Sequence, residues 1–85
     1  MNKEELKIQL DLLGVKPTRY SLNGELEPDR VILFHNYNVW QVFYLDERGG
    51  RNDQRDFPSE SEACLYLYKI FKDAKEIEEK FGIQT

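Results

Sequence analysis

The first regular pattern along the chain is a set of leucines that recur at intervals of four and three residues. The set is Leu6, Leu10 and Leu13. This spacing places them on one face of a helix, which we predict over residues 3 to 13. Asn2, with Glu5 three residues later, is typical of a capped helix start, and Gly14 is placed to end the helix in a left-handed conformation.

Two runs of β-branched and aromatic residues occupy the middle of the chain, at 31–34 and 39–45. The segment 36–38, Asn-Tyr-Asn, separates them, so the pattern predicts an antiparallel hairpin whose asparagines accept the unusual turn dihedrals. Alternation along the second run puts one set of side chains on a common face, namely Trp40, Val42 and Tyr44. Phe43 falls on the other face, where we expect it to be partly exposed.

Turn-forming residues lie on both sides of this hairpin. Gly49 and Gly50 predict a turn into an edge strand over residues 51–57, which is polar except for Phe57. Before the hairpin, residues 16–29 contain Pro, Ser, Asn and Gly and could form either a short hairpin or an ordered loop. We favour the loop, because neither flank of its Asn-Gly pair carries more than a few strand-forming residues.

A long amphipathic helix is predicted at the C-terminal end. Ser59 with Glu62 three residues on forms a capping box, and Gly82 is placed to end a helix of about 22 residues. Its apolar stripe consists of Ala63, Cys64, Leu67, Ile70, Phe71, Ala74, Ile77 and Phe81. The fold class is therefore α+β, with a three-stranded antiparallel sheet and both helices on one face, in the order α-β-β-β-α.

Length and charge limit the function further. A chain of 85 residues supports one domain with a thin core, so binding at the surface is more plausible than a deep enclosed pocket. A net charge of -4 and a pI near 5.0 argue against a nucleic-acid partner and fit a basic protein partner, although such an excess also serves solubility alone.

Few residues could carry chemistry. His35 is the single histidine and Cys64 the single cysteine, so neither a metal cluster nor an internal disulfide is expected. We interpret His35 as a surface hairpin residue and Cys64 as a small buried side chain. The sequence predicts no enzyme activity, no catalytic residue and no cofactor, and a cytoplasmic chain that does not enter a membrane.

A charged segment around the second turn is the candidate binding site. Its charged residues are Asp46, Glu47, Arg48, Arg51, Asp53 and Arg55. Their mixed signs suit a mutually paired, solvated edge, and they also suit a protein-recognition patch. Phe43 leads into this segment as a possible apolar anchor. Tyr66 and Tyr68 flank Leu67 on the helix, so at least one of them must be largely exposed or at the border of the core.

Three short segments in this order carry a resemblance. They are Tyr20-Ser21-Leu22-Asn23-Gly24, Trp40-Gln41-Val42-Phe43-Tyr44 followed by Glu47-Arg48-Gly49, and Asp56-Phe57 followed by Ser59-Glu60-Ser61-Glu62-Ala63-Cys64. Together they resemble small bacterial immunity proteins of polymorphic-toxin systems, of the contact-dependent inhibition type. The resemblance covers roughly residues 3 to 75.

The resemblance implies a protein that binds and neutralises a cognate toxin domain without catalysis. On this hypothesis the toxin meets the charged turn together with Phe43 and Tyr66. A generic adaptor or regulatory binding module is the alternative. A small enzyme or nucleotide-binding domain fits less well, because no nucleophile-base pair is recognisable. Nucleic-acid binding through sheet aromatics also fits less well with the acidic balance.

Overall fold

The computed structural model describes residues 1–80. Within this range one helix precedes four strands along the chain and a second helix follows them. The helices are α1 (Lys3–Leu12) and α2 (Glu60–Lys80). The strands are β1 (Tyr20–Ser21), β2 (Arg30–Asn36), β3 (Val39–Leu45) and β4 (Arg51–Phe57). A single 3₁₀ turn, Pro17–Arg19, precedes β1. The α+β class is as the sequence predicts.

The sheet has four strands rather than the predicted three, and it is mixed rather than antiparallel. The strand order is β1-β2-β3-β4, with β1 parallel to β2 and the other pairs antiparallel. In the extra strand, Tyr20 faces Val31 and Ser21 faces Ile32. Two residues are too few for alternation to show in the sequence. Because the pair is parallel, residues 22–29 return the chain to the start of β2 and do not form a hairpin.

The ends of α1 follow the predicted signals. Asn2 Oδ1 accepts a hydrogen bond from the N–H of Glu5 at 2.8 Å. At the other end Gly14 has a φ of 79°, and the N–H of Val15 donates to the carbonyl of Leu10 at 3.0 Å. This is a Schellman motif, which satisfies carbonyl groups that the helix leaves free. The helix ends at Leu12, one residue before the predicted end.

Both helices pack on one face of the sheet and bury its main core. The buried members are Leu6, Leu10, Tyr20, Leu33, Val42, Ala63, Cys64, Leu67 and Phe71. Trp40 packs against this cluster as predicted, whereas Tyr44 is 39% exposed. The predicted stripe of α2 extends too far, because Ala74 and Ile77 are exposed. A helical period continues whether or not a neighbouring element covers it. Phe81 and Gly82 lie outside the described residues.

A second apolar cluster lies on the face away from the helices. It consists of Ile32, Phe43 and Leu45, with Phe34 packed against it. Phe43 is 1% exposed, so the expectation that it is partly exposed is wrong. The guanidinium carbon of Arg51 lies 4.5 Å from the centroid of the Phe43 ring and covers it. The returning loop covers Phe34, since a Cβ at Gly24 would lie 3.3 Å from that ring.

The β2–β3 hairpin has a two-residue turn with an unexpected residue in the left-handed position. Asn36 pairs with Val39, so Tyr37 and Asn38 form the turn. Tyr37 has a φ of 56°, and the prediction that the asparagines take the unusual dihedrals is wrong. Register decides this, because a two-residue hairpin turn needs positive φ at its first central position.

Candidate functional site

One carboxylate organises the turn between β3 and β4. Asp46 Oδ1 accepts hydrogen bonds from the N–H groups of Arg48 at 2.9 Å and Gly50 at 2.7 Å. Asp46 Oδ2 accepts one from the Asn52 side chain at 3.0 Å. The Asn52 bond first, and the backbone bonds with it, hold the pKa of Asp46 below its ordinary value. Asp46 therefore serves the geometry of the turn.

A β-bulge in β4 determines which side chains share a face. Val42 faces Arg55 but Tyr44 faces Asn52, so β4 uses three residue steps where β3 uses two. Asp53 lies within this irregularity and has a φ of 54°. One extra residue reverses the alternation of everything beyond it. Arg51 consequently faces Leu45 and lies on the side away from the helices.

On the helix side, α2 and β4 leave a groove that we call the tyrosine groove. Its volume is about 300 Å³. It is lined by Val31, Val42, Phe43, Tyr44, Asp53, Arg55, Tyr66 and Ile70. Strands β2 and β3 and helix α2 thus contribute apolar and aromatic residues, and Asp53 and Arg55 of β4 add charges of both signs. Tyrosine and arginine are, with tryptophan, the residues most enriched at the energetic centres of protein interfaces.

Tyr44 lies at one end of the tyrosine groove, where acidic side chains surround its hydroxyl. Its hydroxyl donates a hydrogen bond to Asp29 Oδ1 at 3.0 Å. This bond is the largest cause of a raised pKa of Tyr44, followed by burial and by the negative charges of Asp29, Asp46 and Glu47. Asp53 lines the same groove. Carboxylates therefore dominate the electrostatic surroundings of the Tyr44 hydroxyl.

Tyr66 is held in place from the opposite wall of the groove. Its ring centroid lies 5.2 Å from that of Phe57, with the ring planes tilted by 42°. Tyr66 and Tyr68 are both half-buried, which confirms that the two tyrosines cannot both lie under the helix. Contact with Phe57 at the end of β4 thus restrains the Tyr66 ring.

The structure divides the predicted site residues into three groups. Phe43, Asp53, Arg55 and Tyr66 line the tyrosine groove, although the side chain of Phe43 is buried in the cluster on the other face of the sheet. Asp46, Glu47 and Arg48 lie in or beside the turn, outside the groove lining. Arg51 lies on the opposite face, over the ring of Phe43. The charged segment around the second turn therefore does not form one continuous surface.

Sequence reasoning missed four groove residues, namely Val31, Val42, Tyr44 and Ile70. All four belong to predicted strands or to the apolar helix stripe, and all except the buried Val42 are only partly covered. A usable signal exists for Tyr44, because a tyrosine near the end of a strand often keeps its hydroxyl in water. For Val31 and Ile70 only the path of α2 across the sheet reveals the gap.

A second open cavity, of about 520 Å³, lies beside Trp40 at the start of both helices. His35 stacks on Trp40 with ring centroids 4.0 Å apart and planes 6° apart. Lys3 Nζ lies 5.5 Å from the Trp40 ring, and the Lys3 N–H donates to Glu60 at 3.1 Å. His35 is exposed at the end of β2, as the sequence predicts. The contact that His35 makes here is the stacking on Trp40.

Cys64 is fully buried beneath α2, as predicted. Burial is the largest of the effects that raise the pKa of its thiol to about 11. A thiol with such a pKa is almost entirely protonated near neutral pH, which makes it a poor nucleophile. Cys64 therefore belongs to the core.

Two further properties concern residues 1–80 only. In this range no group of three or more His, Cys, Asp or Glu side chains is arranged to hold a metal ion. Neither helix within the described range combines the length and the apolar character needed to cross a membrane. Comparisons with protein-family models, curated proteins and solved structures found no match to this chain.

Proposed function

We propose that this protein is a binding protein of the immunity type, which neutralises a toxin domain by occupying its surface. The observation that carries the proposal is the tyrosine groove, where Tyr44, Tyr66 and Arg55 surround a gap next to the half-buried Ile70. Large amphipathic side chains around a preformed gap suit a protein partner, because they add contact area at low entropic cost. The resemblance in the sequence supports a toxin as that partner.

Neutralisation on this proposal needs no reaction. The inhibitor binds next to the toxin's active site or substrate groove and blocks access to it. The charges around the groove set the orientation and rate of association more than the affinity, which comes from buried aromatic contacts. The thiol of Cys64 takes no part, because it is buried and protonated.

The first experiment starts from the genome. We expect a toxin-bearing reading frame next to the gene for this chain, and co-expression of its toxin domain with this protein should restore growth. An adaptor, the alternative function, would bind without restoring growth. Toxicity that persists at full expression of the folded protein would contradict the proposal.

The second experiment tests the site. Replacing Tyr66 by alanine should weaken toxin binding by about tenfold or more, because truncated interface tyrosines are frequent hot spots. Tyr37→Ala is the matched control, since Tyr37 is 91% exposed at the tip of the other hairpin. Titration calorimetry on both folded variants compares the losses. Equal losses would mean that the groove is not the interface.

A further inference from the structure

The size of the tyrosine groove, the neighbouring edge of β4 and the charges of the lining together indicate what the groove can bind. The groove measures about 300 Å³. This is the lower limit of typical small-molecule pockets, which span about 300 to 1,000 Å³, and suits an inserted side chain. The half-buried Val31 and Ile70 supply apolar contact, and Tyr44 and Tyr66 supply aromatic contact. A large apolar side chain is therefore the group that fits.

The neighbouring strand edge argues against a different mode of binding. β4 is an edge strand, and a partner strand could in principle pair with its free side. However, six of its seven residues are exposed and polar, and the irregularity at Asp53 interrupts its alternation. Charges and bulges are the features by which edge strands avoid further pairing. The edge of β4 is therefore poorly suited to pairing with an added strand.

The charge at the Tyr44 end selects the residues that flank the inserted side chain. Asp29 accepts the Tyr44 hydrogen bond, and Asp53 lines the groove. The negative charges of Asp46 and Glu47 add smaller contributions to the raised pKa of Tyr44. Arg55 is the cation of the lining. A lysine or arginine is attracted to the Tyr44 end, and Arg55 disfavours the same cation farther along β4.

We propose that the tyrosine groove receives one large apolar side chain from a protruding loop of a basic partner protein, with a lysine or arginine of that loop against Asp29 and Asp53. The proposal rests on the binding function proposed above and specifies the chemistry of the partner. The net charge of -4 on this chain also favours a positively charged partner.

The test uses a random peptide library displayed on phage, selected on the wild-type protein. Enriched peptides should carry a large apolar residue next to lysine or arginine. Ile70→Trp fills the groove and should weaken their binding by about tenfold or more. Leu65→Trp is the matched control, because Leu65 lies on the same helix, is 58% exposed and does not line the groove. Its binding should equal that of the wild type.

A charge variant tests the second half of the proposal and remains informative if Ile70→Trp does not fold. Asp53→Asn keeps a residue that tolerates the left-handed backbone and removes the charge. Affinity for the selected peptides should fall about threefold to tenfold at low salt, with a smaller loss at high salt. Glu76→Gln, on the outer side of α2, is the control and should leave the affinity unchanged.

Each outcome separates the two proposals. No enriched peptide, enrichment without basic residues, or equal binding by folded Ile70→Trp would overturn the groove proposal. A cognate toxin that binds folded Ile70→Trp as tightly as wild type would overturn it too, while leaving the immunity function intact. Peptides that behave as expected, together with a toxin that is not neutralised, would support the groove and overturn the immunity function.

Discussion

The two faces of the sheet both bury apolar side chains, but different structures cover them. On one face α1 and α2 pack on the sheet and form with it a core of nine buried residues, including Leu67 and Phe71. On the other face the cover of Phe43 and Phe34 includes a single arginine, Arg51, and the returning loop at Gly24. The contrast shows that burial does not require a regular element where a long side chain with an apolar stem lies over the rings.

The covers also differ in how they can fail. Helices lose little when one surface residue changes, because many side chains share the contact. The cover of Phe43 depends on the register of β4, since one extra residue places Arg51 on that face. The second face is therefore sensitive to changes that leave the helices intact, and the following substitutions test this difference.

The largest expected effect is on the helix-covered face. Phe71→Ala should lower the free energy of unfolding by about 3 to 5 kcal/mol, because it leaves a cavity under α2. A loss of this size would leave a large fraction of the molecules unfolded, because so small a domain has little stability to lose. Ile77→Ala, on the same helix but 53% exposed, should change it by about 0.5 kcal/mol or less. Urea denaturation followed by circular dichroism measures both, and a small effect of Phe71→Ala would contradict the packing of α2.

The second substitution tests whether the other face is a true core. Phe43→Ala should cost about 3 kcal/mol, near the lower end for buried phenylalanine, because the flexible Arg51 stem can partly close the cavity. The same denaturation experiment applies. A cost below about 1 kcal/mol would mean that Phe43 is a surface residue after all.

A substitution at Tyr20 should raise the free energy of unfolding instead of lowering it. Its side chain is 5% exposed and packs edge-on against Phe71, but its hydroxyl has no hydrogen-bond partner among residues 1–80. Burial first, and the charge of Asp11 second, raise the pKa of Tyr20. Tyr20→Phe should stabilise the fold by about 1 kcal/mol, because it removes a buried unsatisfied group. A loss of stability would reveal a partner for the hydroxyl.

A smaller effect is expected from removing the cover of the second face. Arg51→Ala should cost about 0.5 to 1 kcal/mol, the usual value of a cation over an aromatic ring, with some loss of stem packing. Arg48→Ala is the control, because Arg48 is exposed in the turn. Equal melting temperatures for the two variants would show that Arg51 does not cover Phe43 in solution.

The smallest effect concerns the turn that leads into β4 and depends on pH. The pKa of Asp46 lies below its ordinary value of 3.8, so its charged form stabilises the folded state above that pH. This stabilisation is lost as the pH falls through the lowered pKa. The difference in stability between wild type and Asp46→Asn should therefore be largest near neutral pH and shrink in acid. A difference that stays constant across this range would contradict the role of the carboxylate.

The candidate site was only partly predictable. The sequence predicts Arg55 from the charged segment around the second turn and Tyr66 from its position beside Leu67, and both line the tyrosine groove. Their neighbours Tyr44 and Ile70 were not named, because each belonged to a pattern that indicated core. Arg51 was grouped with Arg55 by proximity in sequence, but the bulge separates the two onto opposite faces. Spacing along a strand predicts a face only while the alternation is unbroken.

The sequence by itself determined the features that arise within a few neighbouring residues. Capping residues fixed the starts of α1 and α2, Gly14 fixed a helix end, and apolar periods identified both helices and the β2–β3 hairpin. Tertiary structure alone decided the parallel strand β1, the burial of Phe43 and the gap beside Tyr66. These depend on contacts between distant segments, and no local pattern encodes which surfaces will meet or where a helix leaves part of a sheet uncovered.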